Sequence, residues 1–325
     1  MMKNNILDGI LGFVIADALG VPIEFKSREE LSINPLKEMI GYGSHKVPEG
    51  TWSDDTSMML ATMDSIVNTN KIDYSDMMKR FCEWYVNSQY TATGVMFDIG
   101  ISTRKALHKF DSGYNALDCG GKGEFDNGNG SLMRILPISF YSLYNNLNEE
   151  QEIQLLNNCS SLTHGHEISK LGCKIYTDYI KSLLKGKNKK EAFYEIMNKD
   201  YSKNYSKDSI NKYKRLFSEG FETLNISQIK SSGYVVDTLE ASIWCVLNTD
   251  SYEEAVVKAI NLGEDTDTVG AITGSIAGLI YGNEKIPERW SAKLKNKEYL
   301  MRLIEDYSKH LSSQTKDFEY NNISK

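Results

Sequence analysis

The chain has 325 residues, 41% of them hydrophobic and 25% charged, and a net charge of −7. This is the composition of a globular protein long enough to bury a large core. The acidic balance argues against a nucleic-acid footprint, which needs a basic patch, and suits a protein that binds cations at acidic sites.

The N-terminal segment combines Lys3, an apolar stretch and Ala16-Asp17-Ala18, a superficial match to a signal-peptidase site. Asp8 at the start of that stretch and the minimal charge before it argue against a signal peptide. No apolar run is expected to reach the ~18–20 residues that span a membrane. Leu7, Ile10, Leu11, Val14, Ile15 and Leu19 fall instead at i, i+3, i+4 spacing, which predicts a buried helix over about 4–19. Met59, Leu60, Met63, Ile66 and Val67 repeat the pattern, as do Met77, Met78, Phe81, Trp84 and Tyr85. Residues 181–220, rich in Lys, Asn, Ser and Tyr, read as a solvated helix face with loops. Val269, Ile272, Ile276, Leu279 and Ile280 form a last helical stripe. Gly270, Gly274 and Gly278 lie four residues apart on that helix. Glycine costs about 1 kcal/mol against alanine in a helix interior, so one glycine face predicts close approach of a neighbouring helix.

No period-2 alternation bounded by hairpin signals occurs. The expected fold is all-α, a single-domain multi-helix bundle over residues 1–312, with 313–325 a frayed tail. There are five prolines, no Pro/Ser-rich linker and no internal repeat. Cys82, Cys119, Cys159, Cys173 and Cys245 are scattered, odd in number and free of CxxC pairs. They argue against a disulfide framework or a zinc site and suit a reducing cytoplasm.

Two acidic motifs stand before helical stripes: Ser53-Asp54-Asp55, and Asp265-Thr266-Asp267-Thr268 after Gly263-Glu264. Each reads first as a helix N-terminus, where a Ser or Asp caps and acids meet the positive end of the dipole. One cap needs one side chain, however, and each motif offers at least three oxygens. Consecutive residues on a helix point about 100° apart, so such oxygens converge only in a bend before the helix. Junctions of that kind suit Mg²⁺, and Mn²⁺ would also be accepted. If the two motifs meet, four aspartates repel one another unless cations intervene, and two ions ~3.5–4 Å apart would relieve them. Spacing does not show that they meet, since 210 residues separate Asp55 from Asp265.

The chain resembles the ADP-ribosylglycohydrolase family from about residue 4 to 300. The resemblance rests on blocks in the family's order: Gly12 to Phe25 with Asp17, Pro22 and Glu24; Gly50 to Met58; Gly128 to Arg134 with Pro137; Thr163-His164; and Gly263 to Thr268 with Ile286-Pro287 and Trp290. It implies a compact all-α bundle with a dinuclear metal centre in its cleft and cleavage of the glycosidic bond between ADP-ribose and a modified target, first of all arginine. By similarity Ser53, Asp54, Asp55, Asp265, Asp267 and Thr268 hold two Mg²⁺ ions. Glu24 stands near the scissile bond as gate or acid/base residue, with Asp54 or Asp265 the other candidates for the proton. Asp17 orients neighbours through hydrogen bonds. Asn127, Gly128, Asn129, Gly130 and Ser131 wrap the diphosphate and ribose, where glycines let backbone N–H groups approach phosphate oxygens, and His164 stands near the ADP-ribose. Arg134 reads as a phosphate partner or as half of a buried ion pair. Serine-linked or other adducts, a non-catalytic ADP-ribose-binding protein and a two-metal phosphohydrolase are the competing readings. The expected partner is an ADP-ribosylated protein or small molecule, with no nucleic acid and no membrane, met by a cytoplasmic monomer.

Overall fold

The computed structural model describes residues 5–323. Among them are fifteen α-helices and no strand. In chain order they are α1 (Asn5–Gly20), α2 (Arg28–Ile33), α3 (Asp54–Thr69), α4 (Tyr74–Asn87), α5 (Ile101–Asp111), α6 (Leu136–Tyr144), α7 (Glu149–Ser161), α8 (Glu167–Leu184), α9 (Lys189–Met197), α10 (Lys207–Lys212), α11 (Val235–Leu247), α12 (Tyr252–Ile260), α13 (Thr266–Tyr281), α14 (Glu288–Ser291) and α15 (Lys297–Ile323). The segment expected as a frayed tail continues α15 as far as Ile323. The only extended pairings among the described residues are the single bridges Gly121–His164 and Gly128–Tyr234.

The four helical stripes read from the sequence become α1, α3, α4 and α13. Helix α1 is apolar on every face because it is buried on every face, from Asp8 through Gly20. Counted across Asp8 and Asp17, the span Asn5–Ile23 has the length and mean hydropathy, 1.9, of a membrane-crossing helix, and 94% of its most apolar window lies inside the protein. It is the central core helix. Its main neighbour is α13, which also packs on α11 and α12, while α3 packs on α4 and α15.

The seam between α1 and α13 is made of backbone. A methyl group built on Gly274 would stand 2.3 Å from the Gly12 carbonyl oxygen and 2.4 Å from the Ala16 methyl; one on Gly278 would stand 2.2 Å from the Asp8 carbonyl. The glycine face of α13 is thus spent on approach to α1, and Tyr252 of α12 locks the same turn by donating to the Gly12 carbonyl at 2.7 Å. At the seam's end the Thr266 hydroxyl donates to the Gly20 carbonyl at 2.8 Å, which sets the start of α13 beside the end of α1.

The Lys-rich stretch is less solvated than its composition predicts. Tyr201, Tyr205 and Tyr213 are buried; just before the stretch, Lys174 of α8 is buried between Glu152, at 3.0 Å, and Asp178. All five cysteines are free thiols, four of them buried.

Gly274→Ala is expected to lower stability by about 1–3 kcal/mol through overpacking, even though alanine adds ~1 kcal/mol of helix propensity. Urea unfolding reads this directly; a midpoint at or above the native one would show that the seam tolerates a side chain.

Candidate functional site

The site begins at the one charged residue in the inward half of α1. Asp17 is fully buried. Its carboxylate accepts the Ser53 amide at 3.0 Å, the Thr56 amide at 3.1 Å and the Thr56 hydroxyl at 2.5 Å. These are donors of the first turn of α3, which an α-helix leaves without partners of its own. Ser53 is the N-cap, its hydroxyl accepting the Asp55 amide at 3.2 Å. Asp17 therefore fastens the start of α3 to the core and leaves the Asp54 and Asp55 carboxylates free for the cleft. Burial pushes Asp17 up to about 6, against the pull of the bonds from Thr56 and Ser53.

The second acidic junction arrives through the α1–α13 seam. Asp265 caps α13 without a side-chain bond to its own helix. Its carboxylate instead accepts from the Asn129 amide at 2.7 Å, and the same NH₂ group donates to the Thr238 hydroxyl at 2.9 Å. Thr268 reaches across to Asp55, 3.4 Å from hydroxyl to carboxylate. Glu264 is exposed, and its part is played by the backbone. At a positive φ of 63° it receives the Phe25 amide on its carbonyl at 2.7 Å and donates its own amide to the Lys26 carbonyl at 2.8 Å. That pairing holds Glu24 against the second junction.

Glu24 is 5% exposed. Its carboxyl is hydrogen-bonded to His45 Nε2, and the His45 ring lies between Phe25 and Phe97, with centroids 5.6 and 5.1 Å away. Asp98, at a φ of 54°, completes the group. Oxygen atoms of Glu24, Asp265 and Asp267 lie within 4.8 Å of one another, as do those of Asp54, Asp98 and Asp267.

So many acids in one buried place shift one another. Burial, then the charges of Asp98, Asp265, Asp54 and Asp17, push Glu24 up to about 10. Burial and neighbouring carboxylates likewise hold Asp54, Asp55 and Asp267 well above the usual carboxylate range. Asp55 Oδ2 is buried with no hydrogen-bond partner. An orphaned carboxylate oxygen, carboxylates of three chain segments within ligand distance and hydroxyls at both junctions make a donor set that fits hard divalent cations.

The opposite wall is the glycine-rich loop. The cleft, about 320 Å³ in volume, is lined by Glu24, Asp54, Asp55, Asp265, Asp267 and Thr268 on one side and by Gly128, Asn129, Gly130 and His164 on the other. Gly130 has to be glycine here, because a methyl group would stand 2.7 Å from His164 Cε1. Phe25 and Phe125, 70% and 99% exposed, stand at the mouth.

Two residues expected in the site turn their side chains elsewhere. The Asn127 side chain donates to the Glu124 carbonyl at 2.9 Å and accepts from the Ser169 hydroxyl at 3.1 Å, so it anchors the loop to α8. The Ser131 hydroxyl is buried and accepts from Ser160 at 3.0 Å. The Ser53 hydroxyl, though it caps α3, uses only one of its two lone pairs on the Asp55 amide. Arg134 forms no ion pair among the described residues. It is buried over the Phe81 ring, 4.9 Å from the centroid, and donates to neutral oxygens. His45 and Asp98 are members that spacing did not reveal. The one local signal for Asp98 is its position just before the amphipathic helix α5.

The sequence and the fold were compared with known proteins. The family model for ADP-ribosylglycohydrolase matches residues 2–317. An ADP-ribosylarginine hydrolase Tri1 of Serratia proteamaculans (strain 568) is 30% identical over 306 residues, covering 91% of this chain and 76% of that protein. The ADP-ribosyl-[dinitrogen reductase] glycohydrolase of Rhodospirillum rubrum is 26% identical over 298 residues, covering 91% and 92%. A solved structure, an ADP-ribosylglycohydrolase-related protein complex, superposes with a TM-score of 0.79 at 27% identity, covering 95% of this chain and 99% of that one. With that match across nearly its whole length and an acidic cleft in which the family's motifs converge, the chain belongs to the ADP-ribosylglycohydrolase family and is a hydrolase of ADP-ribose adducts.

Proposed function

We propose that this hydrolase releases ADP-ribose from the guanidinium of arginine side chains of modified proteins, with two Mg²⁺ ions held by Asp54, Asp55, Asp265, Asp267 and the hydroxyls of Ser53 and Thr268. The observation that carries the reading is the convergence, on one wall of one cleft, of acids from three segments, the last of them more than 200 residues beyond the first two in sequence, opposite a glycine-rich wall. The arginine linkage is supported by the activity for which the relative at 30% identity is named. Bound at that cluster, a divalent pair supplies Lewis acidity to ribose hydroxyls and lowers the pKa of water.

The chain's own residues do the rest. Gly128 and Gly130 give phosphate and ribose oxygens close access to backbone. Asn129 holds Asp265 in place while its loop shapes the opposite wall. Glu24 stands among carboxylates that hold its proton, within reach of the cleft, and is the group we assign to proton transfer at the scissile bond. His45, pinned between two phenylalanines, fixes the direction of that carboxyl. The oxocarbenium character of glycoside hydrolysis is then met by the surrounding carboxylates. Five free thiols accord with a reducing compartment.

Purified Asp54→Ala, Asp265→Ala and Asp267→Ala are expected to release ADP-ribose about 10²-fold more slowly or worse, and Glu24→Gln about 10²–10⁴-fold more slowly. The assay uses arginine-, serine- and base-modified substrates with Mg²⁺ or with EDTA. Intact ADP-ribose as product marks glycosidic cleavage, whereas AMP with ribose phosphate marks a phosphohydrolase. Near-native rates for all three aspartate variants, with folding intact, would sink the site assignment.

Stability carries a second signature. Carboxylates with raised folded-state pKa contribute most below their unfolded values, near 3.8 for Asp and 4.5 for Glu, and lose that contribution as pH rises toward about 6 for Asp17 and about 10 for Glu24. In EDTA the unfolding temperature should therefore fall between pH 5 and pH 8. Added Mg²⁺ should raise it more at pH 8 than at pH 5. Equal Mg²⁺ effects at both values would contradict the coupling of cation and cluster.

A further inference from the structure

The mechanism above leaves one buried cation unused. Arg134 is 1% exposed and makes no ion pair among the described residues. Its Nη2 donates to the Cys159 carbonyl at 2.9 Å and to the Thr163 hydroxyl at 2.8 Å, and its Nε has no partner. Burial pushes it down only to about 10, so it remains a cation at neutral pH, able to donate and unable to accept.

Thr163 is the link to the cleft. Its hydroxyl oxygen lies 2.9 Å from His164 Nδ1. A hydroxyl has one proton and two lone pairs. One lone pair receives the Arg134 proton. Among the described residues, the Thr163 hydroxyl makes no hydrogen bond other than those to Arg134 and His164 Nδ1. If Nδ1 carried a proton of its own, the threonine O–H would be stranded between two donors. His164 is 2% exposed, and burial with the adjacent Arg134 holds it down at about 3, opposed by Asp126, so the ring is neutral. A neutral imidazole that accepts at Nδ1 carries its proton on Nε2. That nitrogen makes no hydrogen bond to the protein among the described residues. It faces the cleft beside the glycine loop, 3.3 and 3.4 Å from where methyl groups on Gly128 and Gly130 would stand.

We propose that Arg134 and Thr163 are a positioning pair that fixes His164 in the Nε2–H tautomer, so that this side chain presents one uncharged donor to an oxygen of ADP-ribose in the cleft. The tautomer follows from the hydrogen-bond network alone; the identity of the acceptor rests on the function proposed above. An uncharged donor suits a subsite that must hold the ligand without adding a mobile positive charge beside the acidic wall. It also explains why a buried arginine stands here without a carboxylate. An ion pair would compete for the guanidinium protons that keep Thr163 turned toward the imidazole.

The test is ¹⁵N NMR of the full-length protein, with ring nitrogens correlated to ring protons. The expected wild-type signature is protonated Nε2 and bare Nδ1 at His164, with the Nε2–H signal moving when ADP-ribose is added. Thr163→Val should abolish the single-tautomer signature and raise KM about tenfold with kcat within about threefold, the size of effect expected for a lost hydrogen bond to a charged group. Thr163→Ser should restore both readings. A wild-type Nδ1–H signature, an unmoved His164 signal at saturating ADP-ribose, or a Thr163→Val protein indistinguishable from wild type would each overturn the proposal. Should Thr163→Val fail to fold, the wild-type tautomer and the Thr163→Ser spectrum still decide it. The resting tautomer is read without substrate, so its failure is distinct from absence of turnover, which counts against the hydrolase reading.

Discussion

The backbone-to-backbone seam between α1 and α13 is the constraint from which the site follows. Gly12, Gly274 and Gly278 leave little beyond backbone and the Ala16 methyl on the contact line, which fixes the two helices in register as well as in distance. Register matters because each helix carries part of the site near one end. Helix α1 holds Asp17 in its last turn but one and leads into Glu24. Helix α13 opens with Asp265 and Asp267. A seam filled with larger residues would hold the helices farther apart and let them slide, and the oxygens of Glu24, Asp265 and Asp267 would lose their common centre.

Around that seam, neutral and charged hydrogen bonds divide the labour. Asp17 spends its carboxylate on the free amides at the start of α3. That use is structural, and it is what frees Asp54 and Asp55 for the cleft. Asn129 does the reverse from the opposite wall, lending an amide to Asp265 so that one of the acids is already satisfied. Asp55 Oδ2 is the oxygen that neither device reaches. The bracing thus leaves one buried carboxylate oxygen of the cluster without a hydrogen-bond partner among the described residues.

Much of the fold was legible because the chain's helices carry plain apolar periodicity. The stripes at Leu7–Leu19, Met59–Val67, Met77–Tyr85 and Val269–Ile280 became helices, and the glycine spacing on α13 announced a close neighbour without saying which. The acidic motifs were legible as junctions with surplus oxygens. Their meeting was not, because contact across 210 residues leaves no local trace, and only the resemblance to a family supplied it. His45 and Asp98 were invisible for the same reason: each lies in an irregular loop and gains meaning only from the side chain opposite. Asn127 and Ser131 show the converse. A Gly/Asn loop shared its chemistry between the cleft and its own anchoring, and spacing does not say which polar side chain faces which way. The buried tyrosines of 201–213 were hidden in a stretch whose lysines dominate its composition.

The burial of α1 has a consequence in time as well as in space. The helix leaves the ribosome well before its principal partner, α13, which comes some 250 residues later. At about 5–20 residues per second, that delay is on the order of tens of seconds. For that period a helix with the length and apolarity of a membrane segment waits in a growing chain without the surface that will cover it. Its two aspartates are then exposed charges within the apolar span. In the nascent chain Asp8 and Asp17 weaken any attraction of the helix to a bilayer. In the finished protein Asp17 anchors the start of α3, and the carboxylate of Asp8 accepts from the backbone of Asn283 at 2.9 Å.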